Sequence, residues 1–144
     1  DKTDQNFALP KWIFNLPNNL KVEFLRGLFS GDADNPKLKS SGKSVESLRL
    51  SLSSHKNIAE KFRDGFMSDI YKLILDLGIR ATPPKIMYNQ PRISKEGRVT
   101  YPIVIRILTN KINIINFLEN IKYTYCNRAI IKGDSILKAL RNTN

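Results

Sequence analysis

One aspartate occupies a position where the surrounding pattern points to chemistry. Asp32 directly follows residues 25–31, which read LRGLFSG and are typical of the end of an amphipathic helix. A carboxylate is unfavourable at a helix C-terminus, where the macrodipole is already negative, unless a cation joins it. Divalent metal ions prefer oxygen ligands and act on phosphate oxygens. Asp32 is therefore the candidate metal ligand of the chain.

The helix that must position Asp32 carries two glycines. We predict this helix over residues 18–31, with Asn18 or Asn19 as its N-cap. A glycine inside a helix costs about 0.5–1 kcal/mol relative to alanine, so these two need a compensating role. Small residues four positions apart allow a second helix to approach closely. Packing of two copies there would bring their two Asp32 carboxylates together. The predicted core-facing stripe contains Leu25, Leu28 and Phe29, and the predicted contacts with a second copy are Leu20, Phe24, Gly27, Leu28 and Gly31.

The positive charge of the chain is concentrated in two stretches. The 144 residues include 24 lysines and arginines and 13 acids, which gives a net charge of +11. Residues 36–56 and 80–106 together carry +9 of that charge. Such concentration is typical of a protein that binds a polyanion, and a solvated surface that sets solubility is the alternative. The candidate nucleic-acid contacts are Lys37, Lys39, Lys43, Ser47, Arg49, Ser51, Lys85, Arg92, Arg98 and Arg106.

Both basic stretches are predicted to form β-hairpins. The first pairs residues 37–40 with 44–53, and the second pairs residues 83–90 with 98–108. Over residues 48–53 leucines alternate with serines and one arginine, so one face is apolar and the other polar. A polar face of this kind suits a DNA groove, where hydroxyls and guanidinium groups meet phosphates and base edges. Pro102 favours an edge position or a bulge.

The predicted elements alternate in a simple order. Helices are predicted over residues 18–31, 58–77, 110–120 and 134–141, with the two hairpins between the first three. The order indicates an α+β fold in which an antiparallel sheet carries helices on one face. Residues 1–17 are predicted to form an arm that packs on the core, with Trp12 as an anchor, and residues 18–144 a single domain.

The glycine-and-acid segment resembles the nine-residue motif of the LAGLIDADG homing endonucleases, in particular the single-motif, homodimeric type and its archaeal, intein-like subgroup. Gly27 and Gly31 match the two small helix-packing positions, and Asp32 matches the metal-binding acid. The resemblance extends over residues 9–141. The chain departs from the motif at two positions, Ser30, where an acid is common, and Ala33, which replaces the final glycine.

The resemblance implies an αββαββα fold whose antiparallel four-stranded sheet forms a saddle over double-stranded DNA. It further implies a homodimer that cuts both strands of a long pseudo-palindromic site. The family hydrolyses phosphodiesters with Mg²⁺, for which Mn²⁺ substitutes, and leaves 3′ extensions; no small-molecule cofactor is expected. The implied metal ligands are Asp32 and Ala33. The implied catalytic residues are Asp32 and one basic side chain, with Arg106 preferred and Arg98 and Lys95 as alternatives.

Other features limit the class of protein. No apolar run approaches the ~18 residues that a membrane span needs, and the single Cys126 allows neither an intrachain disulfide nor a cysteine-based zinc site. We therefore expect an intracellular, soluble, cytoplasmic protein.

Two alternatives to a nuclease stay open. One is a protein of the same fold that binds DNA or RNA without cutting, such as a maturase or a regulator, and the other is a basic α+β interaction protein whose glycine helix serves only dimerisation.

Overall fold

The fold is known from a computed structural model, which describes residues 8–32, 48–121, 138, 140 and 141. The helices and strands in this part of the chain are, in order, a 3₁₀ helix (Lys11–Asn15), α1 (Asn18–Asp32), β1 (Leu48–His55), α2 (Ala59–Phe62), a π-helical turn (Arg63–Met67), α3 (Ser68–Asp76), β2 (Lys85–Ile86), β3 (Arg92–Ile93), β4 (Val99–Ile107) and α4 (Lys111–Asn120). The predicted first strand over residues 37–40 lies outside the described residues.

Strand β4 is the centre of a four-stranded antiparallel sheet. It pairs along its whole length with β1, from Leu48 opposite Ile107 to His55 opposite Thr100. On its other side it pairs with the two short strands β2 and β3. The α+β class and the antiparallel four-stranded sheet predicted from the sequence are therefore confirmed.

Pro102 lies in this central strand, so the prediction of an edge position or a bulge is wrong. Its carbonyl oxygen accepts a hydrogen bond from the Met87 N–H at 2.9 Å. The N–H and C=O of one strand residue point to the same side, so the missing N–H of Pro102 also faces the second hairpin arm. That arm is interrupted between Ile86 and Arg92. Because the arm is interrupted there, the missing N–H of the proline removes no ladder hydrogen bond.

The sheet has one face in the hydrophobic core. Because side chains alternate along a strand, the register puts Leu48 and Leu50 of β1 on the same face as the odd-numbered isoleucines of β4. The fully or nearly fully buried residues on this face are Leu48, Leu50, Ile86, Ile103, Ile105 and Ile107. They pack against the buried side chains of α1, α3 and α4, so the helices cover one face of the sheet.

A π-helical turn joins α2 to α3, so the helix predicted over residues 58–77 is present without being a single regular α-helix. It ends as predicted at Gly78, whose φ is +77°. The Gly78 N–H donates to the Leu75 carbonyl and the Ile79 N–H to the Ile74 carbonyl, which is the hydrogen-bond pattern of a Schellman C-cap. Ile74 and Ile79 are both fully buried and complete the cap.

Helix α1 begins at Asn18, so neither Asn18 nor Asn19 is its N-cap. The Pro17 carbonyl accepts hydrogen bonds from the Leu20 and Lys21 N–H groups instead. Leu25 and Phe29 are fully buried, as the predicted core-facing stripe requires.

The segment before α1 is held against the core by Leu9 and Ile13, not by the predicted Trp12. Leu9 and Ile13 are buried, and the Leu9 N–H donates to the Asp69 carboxylate of α3 at 2.9 Å. Trp12 is 63% exposed, so its prediction as a core anchor is wrong. A 3₁₀ helix has three residues per turn, so a turn that points Ile13 inward turns its neighbour Trp12 away from the core.

Candidate nucleic-acid interface

The sheet face opposite the core carries all four lysines and arginines of the described strands. The register places Arg49 opposite Arg106, Lys85 opposite Val104 and Arg92 opposite Thr100, all on this face. We call this surface the basic face and define it by Arg49, Lys85, Arg92 and Arg106. The position of Arg49 and Arg106 agrees with the alternation that the sequence predicted. The other predicted contacts, Lys37, Lys39, Lys43 and Ser47, lie outside the described residues.

The middle of the basic face is less charged than its ends. Ser51 lies opposite Val104 and Ser53 opposite Pro102. Val104 is only 5% exposed, whereas Lys85, Arg92 and Arg106 are exposed. No acid occupies a described strand position on this face. The accessible groups of this surface are therefore hydroxyls and cations, which suit contact with phosphates and base edges.

Arg49 and Arg106 form a directly opposed pair. The Arg106 N–H donates to the Thr82 hydroxyl at 3.3 Å, and the Arg106 carbonyl accepts from the Thr82 N–H at 2.8 Å. Both backbone groups of Arg106 thus point away from β1, which makes this a non-hydrogen-bonded pair. The Cα atoms in such pairs are about 4.5 Å apart, with the side chains close together. Ala81 forms a bridge with Ile107 on the core side, so the next residue, Thr82, lies on the basic face.

Thr82 was not among the residues predicted from the sequence. The isolated bridge that places it beside Arg106 follows a turn and precedes two prolines, and no alternation of residue types marks it as part of the sheet. Arg49, Arg106 and Thr82 lie side by side on three neighbouring segments of chain. We call these three residues the arginine row, to which Thr82 contributes a hydroxyl group.

Arg98 and Lys95 lie at the opposite end of β4 from Arg106. Arg98 closes the turn between β3 and β4, where its N–H donates to the Ser94 hydroxyl at 3.0 Å and its carbonyl accepts from the Ser94 N–H at 2.9 Å. Gly97 supports this turn with a φ of +81°. Eight residues of strand separate Arg98 from Arg106, which is about 26 Å. The three candidate catalytic cations therefore belong to two different ends of the sheet.

Helix α1 runs toward the end of the sheet that holds Arg49 and Arg106. Arg26 donates to the Asn120 carbonyl at 3.2 Å, and three residues later Phe29 meets Phe117 with ring centroids 5.0 Å apart. Helix α1 therefore runs antiparallel to α4, toward the start of α4 and the end of β4. Asp32 is the last residue of α1. The Asp32 side chain and Ala33 lie outside what the structure describes.

The glycine stripe of α1 is open in the described part of the chain. A Cβ atom added to Gly27 or Gly31 would meet no described atom within 4 Å. Leu20, on the same stripe, is 45% exposed, and Phe24 and Leu28 are half-buried against the core. This arrangement leaves the predicted contact surface accessible along α1.

A concavity lies where the turn after α3 meets the start of α4. Its volume is about 340 Å³, and it is lined by Gly78, Arg80, Asn110, Ile112, Asn113 and Asn116. The buried Asn113 amide donates to the Arg80 and Leu108 carbonyls and accepts from the Arg80 N–H, all within 2.8 Å. These hydrogen bonds fix the turn after α3 against α4, so the asparagine has a structural role.

Comparisons with known proteins find segments similar to this chain within larger proteins. It is 29% identical over 128 residues to the DNA-directed RNA polymerase subunit Rpo1N of Methanocaldococcus jannaschii, which covers 89% of this chain and 9% of that protein. It is 31% identical to the tRNA-splicing ligase RtcB of Pyrococcus abyssi, over 92% of this chain and 13% of that protein. It is 28% identical to the tRNA-splicing ligase RtcB of Pyrococcus furiosus, over 92% of this chain and 12% of that protein. The chain thus spans about a tenth of the length of the curated relatives it matches. All three names are those of nucleic-acid enzymes.

No family model matches the sequence, and no solved structure matches the fold. None of the helices in the described residues has the length and apolar character that crossing a bilayer would need.

Proposed function

We propose that the chain is a metal-dependent, site-specific DNA endonuclease of the LAGLIDADG type that acts as a homodimer on double-stranded DNA. The observation that carries the proposal is the strand register. It gathers Arg49, Lys85, Arg92 and Arg106 on one sheet face, and α1, which terminates in Asp32, runs toward the end of the sheet that holds Arg49 and Arg106. A cationic sheet face beside a carboxylate-bearing helix end has the parts needed to hold a phosphate backbone and hydrolyse it.

The relatives support an independent genetic element. The same segment of about 130 residues matches a small fraction of an RNA polymerase subunit and of tRNA-splicing ligases. The names of these proteins describe different reactions, so the shared segment does not correspond to a reaction that the names have in common. A segment with its own activity, inserted into different host proteins, explains the distribution. An intron-encoded or intein-borne endonuclease is an element of this kind, because cutting DNA promotes its spread.

The proposed magnesium site would draw its ligands from two copies of the chain. The described residues contain no group of three or more His, Cys, Asp and Glu side chains that could hold a metal ion. Asp32 supplies carboxylate oxygens and Ala33 a carbonyl oxygen, which are ligand types that Mg²⁺ accepts. The second copy and the DNA phosphates would complete the coordination. When bound, the metal ion would activate water and stabilise the leaving oxygen.

The dimer would form through the glycine stripe of α1. Without side chains at Gly27 and Gly31, two α1 helices can approach closely, and Leu20 and Phe24 extend the apolar contact. Because the helices end at Asp32, this packing puts two carboxylates at the dyad. A twofold protein matches a pseudo-palindromic site, with one carboxylate for each strand.

Arg106 is the preferred basic catalytic residue. It lies at the end of the sheet toward which α1 runs, whereas Arg98 and Lys95 lie about 26 Å farther along β4. This separation gives Arg98 and Lys95 contacts with more distant parts of the DNA.

The test is selection followed by cleavage. The purified chain is incubated with a random duplex library without divalent metal ions, and the enriched sequences are cloned into a plasmid. With Mg²⁺ we expect linearised plasmid with 3′ extensions. Asp32→Asn should bind the selected duplex within about two-fold of the wild type and cut at least about 100-fold more slowly.

Asp64→Asn is the matched control, because it makes the same change at an exposed acid in the π-helical turn; cutting should be unchanged. Selective binding by the wild type without any cutting would favour the alternative of a binding protein of the same fold. Failure to enrich any duplex would contradict both.

A further inference from the structure

The sequence contains one histidine, and it lies on the basic face. His55 is the last residue of β1, is exposed, and lies opposite Thr100 in the register. Alternation along the strand places it on the same face as Arg49, from which it is separated by about 20 Å of strand. His55 therefore lies at the end of the basic face that is remote from Arg49 and Arg106.

Backbone hydrogen bonds fix the position of His55. The Lys56 N–H donates to the Val99 carbonyl at 3.1 Å, which continues the ladder between β1 and β4 by one residue. The His55 carbonyl accepts from the Ile58 N–H at 3.1 Å in the turn that leads to α2. Because the adjoining pair of the ladder is hydrogen-bonded, His55 and Thr100 form a non-hydrogen-bonded pair, in which the side chains lie close together.

The charge at this end of the sheet is positive. Thr100 pairs on its other side with Arg92 of β3, so Arg92 lies across Thr100 from His55. Arg98 closes the turn between β3 and β4 at the same end. This turn also contains one lysine and one glutamate, Lys95 and Glu96. Three cations and one acid give this end a net charge of +2 before the histidine is counted. No acid holds a described strand position on the basic face.

The other charged groups close to the histidine in the described residues belong to the opposite side of the sheet. Lys56 follows it directly, so alternation places Lys56 on the side that the helices cover. Glu60 of α2 accepts a hydrogen bond from the Tyr88 hydroxyl at 3.4 Å. Tyr88 packs on Tyr101, which lies on the core-facing side of β4. Neither Lys56 nor Glu60 therefore belongs to the basic face.

We infer that His55 binds a phosphate of duplex DNA as an imidazolium cation, so that DNA binding takes up a proton. Histidine is the side chain whose charge ordinarily changes between pH 5 and 8. An anion close to an imidazole favours its charged form, in which both ring nitrogens are hydrogen-bond donors. The proton comes from the solvent and forms an N–H bond on the ring; no other covalent bond changes. The inference deepens the proposed function and rests on duplex DNA as the ligand.

The pH dependence of duplex binding tests the inference without a known target sequence and without cleavage. The chain is titrated with a random-sequence duplex at about pH 7.5 and about pH 5.5, at equal ionic strength and without divalent metal ions. We expect the affinity to rise at the lower pH by about 2- to 5-fold per protomer, the range of one exposed ion pair. The slope of log K against log salt should become steeper by about 0.9 per protomer, because one more phosphate is neutralised.

Two substitutions at the same position have opposite expected results. His55→Gln keeps a polar side chain that cannot become a cation, so affinity and salt slope should stay at their high-pH values throughout. His55→Arg carries a permanent charge and should give the low-pH values at both pH values. Lys56→Gln is the matched control, because it removes a charge one residue away on the other side of the sheet; it should retain the pH dependence of the wild type.

Isothermal titration calorimetry provides a second measurement. Binding at about pH 6.5 in two buffers with different ionisation enthalpies should show proton uptake by the wild type and none by His55→Gln. Wild-type binding that is independent of pH would overturn the inference. A pH dependence that persists in His55→Gln, or that disappears in Lys56→Gln, would overturn it as well.

These results are distinguishable from those that test the nuclease. Proton-linked binding that disappears in His55→Gln, together with absent cleavage, would retain the role of His55 and reject the nuclease. Metal-dependent cleavage by a chain whose duplex binding is independent of pH would retain the nuclease and reject the role of His55.

Discussion

Phe29 of α1 and Phe117 of α4 meet edge to face, with ring centroids 5.0 Å apart and ring planes at 65°. Both side chains are fully buried. Together with the hydrogen bond from Arg26 to the Asn120 carbonyl, this contact fixes the direction of α1. The aromatic pair therefore determines where the last residue of α1, Asp32, lies relative to the sheet.

Truncation of this aromatic contact should destabilise the fold strongly. Phe29→Ala removes a ring from a fully buried position, and such changes cost about 3–5 kcal/mol. Urea denaturation followed by circular dichroism measures the decrease in stability. Ile112→Ala in α4 is the control, because Ile112 is 81% exposed and should change the free energy of unfolding by less than about 0.5 kcal/mol. Similar decreases in the two variants would contradict the burial of Phe29 against α4.

Gly27→Ala should have opposite effects on the monomer and on the dimer. The added methyl group meets no described atom within 4 Å, so the free energy of unfolding of the monomer should rise by about 0.5–1 kcal/mol. The proposed dimer should weaken, because the methyl groups separate the two helices. Denaturation at low protein concentration measures the first effect and sedimentation equilibrium the second.

Gly97→Ala provides a matched comparison for this prediction. Its Cβ also meets no described atom within 4 Å, but its φ is +81°. The substitution should therefore cost about 1–2 kcal/mol through backbone strain and leave self-association unchanged. A Gly27→Ala variant that dimerises as tightly as the wild type would remove the glycine stripe from the interface.

Asn113 should be much less replaceable than its neighbour Asn116. Asn113→Leu leaves the Arg80 N–H and the Leu108 carbonyl without their side-chain partners, at about 1–3 kcal/mol for each group. Asn116→Ala removes two surface hydrogen bonds, one to the Gly78 carbonyl and one from the Asn120 side-chain amide, which together should cost less than about 1 kcal/mol. Chemical denaturation of both variants measures the difference. Equal costs would show that the Asn113 network is not needed to hold α4.

Asp64 should titrate below the usual range for aspartate. Its carboxylate accepts hydrogen bonds from Arg63 at 2.9 and 3.5 Å, and this pairing lowers the pKa of the Asp64 carboxyl. The stabilisation is present at neutral pH and is lost as the pH falls through the lowered folded-state pKa, below the ordinary value of 3.8. NMR titration of the carboxyl carbon should show this shift. Arg63→Gln should return the pKa toward its ordinary value, and an unshifted pKa in the wild type would contradict the ion pair.

The faces of the long strands could be predicted from the sequence, because alternation carries that information. Leucines at 48 and 50 alternate with Arg49 and Ser51, and the isoleucines of β4 alternate with Arg106, so the positions of Arg49 and Arg106 on the basic face follow from residue types alone. The helix ends could also be predicted where capping residues mark them, as at Gly78.

Features set by long-range contacts could not be predicted in this way. Trp12 has the large apolar side chain of a typical core residue, but the 3₁₀ turn directs Ile13 inward in its place. The π-helical turn leaves the apolar spacing of its helix nearly unchanged, so periodicity does not reveal it. Thr82 joins the arginine row through an isolated bridge that depends on the path of the chain after α3.

The proline in the central strand has a consequence for how this sheet can vary. Pro102 faces the break between the two short strands with a carbonyl group and no N–H. Continuous pairing across that break would leave an acceptor of the second arm without its donor, so this arm cannot close into one uninterrupted strand. Residues 88–91 are thereby released from the pairing register. Insertions or deletions there should leave both ends of the sheet in place, which makes this loop a position where related chains can differ in length while β4 stays the same.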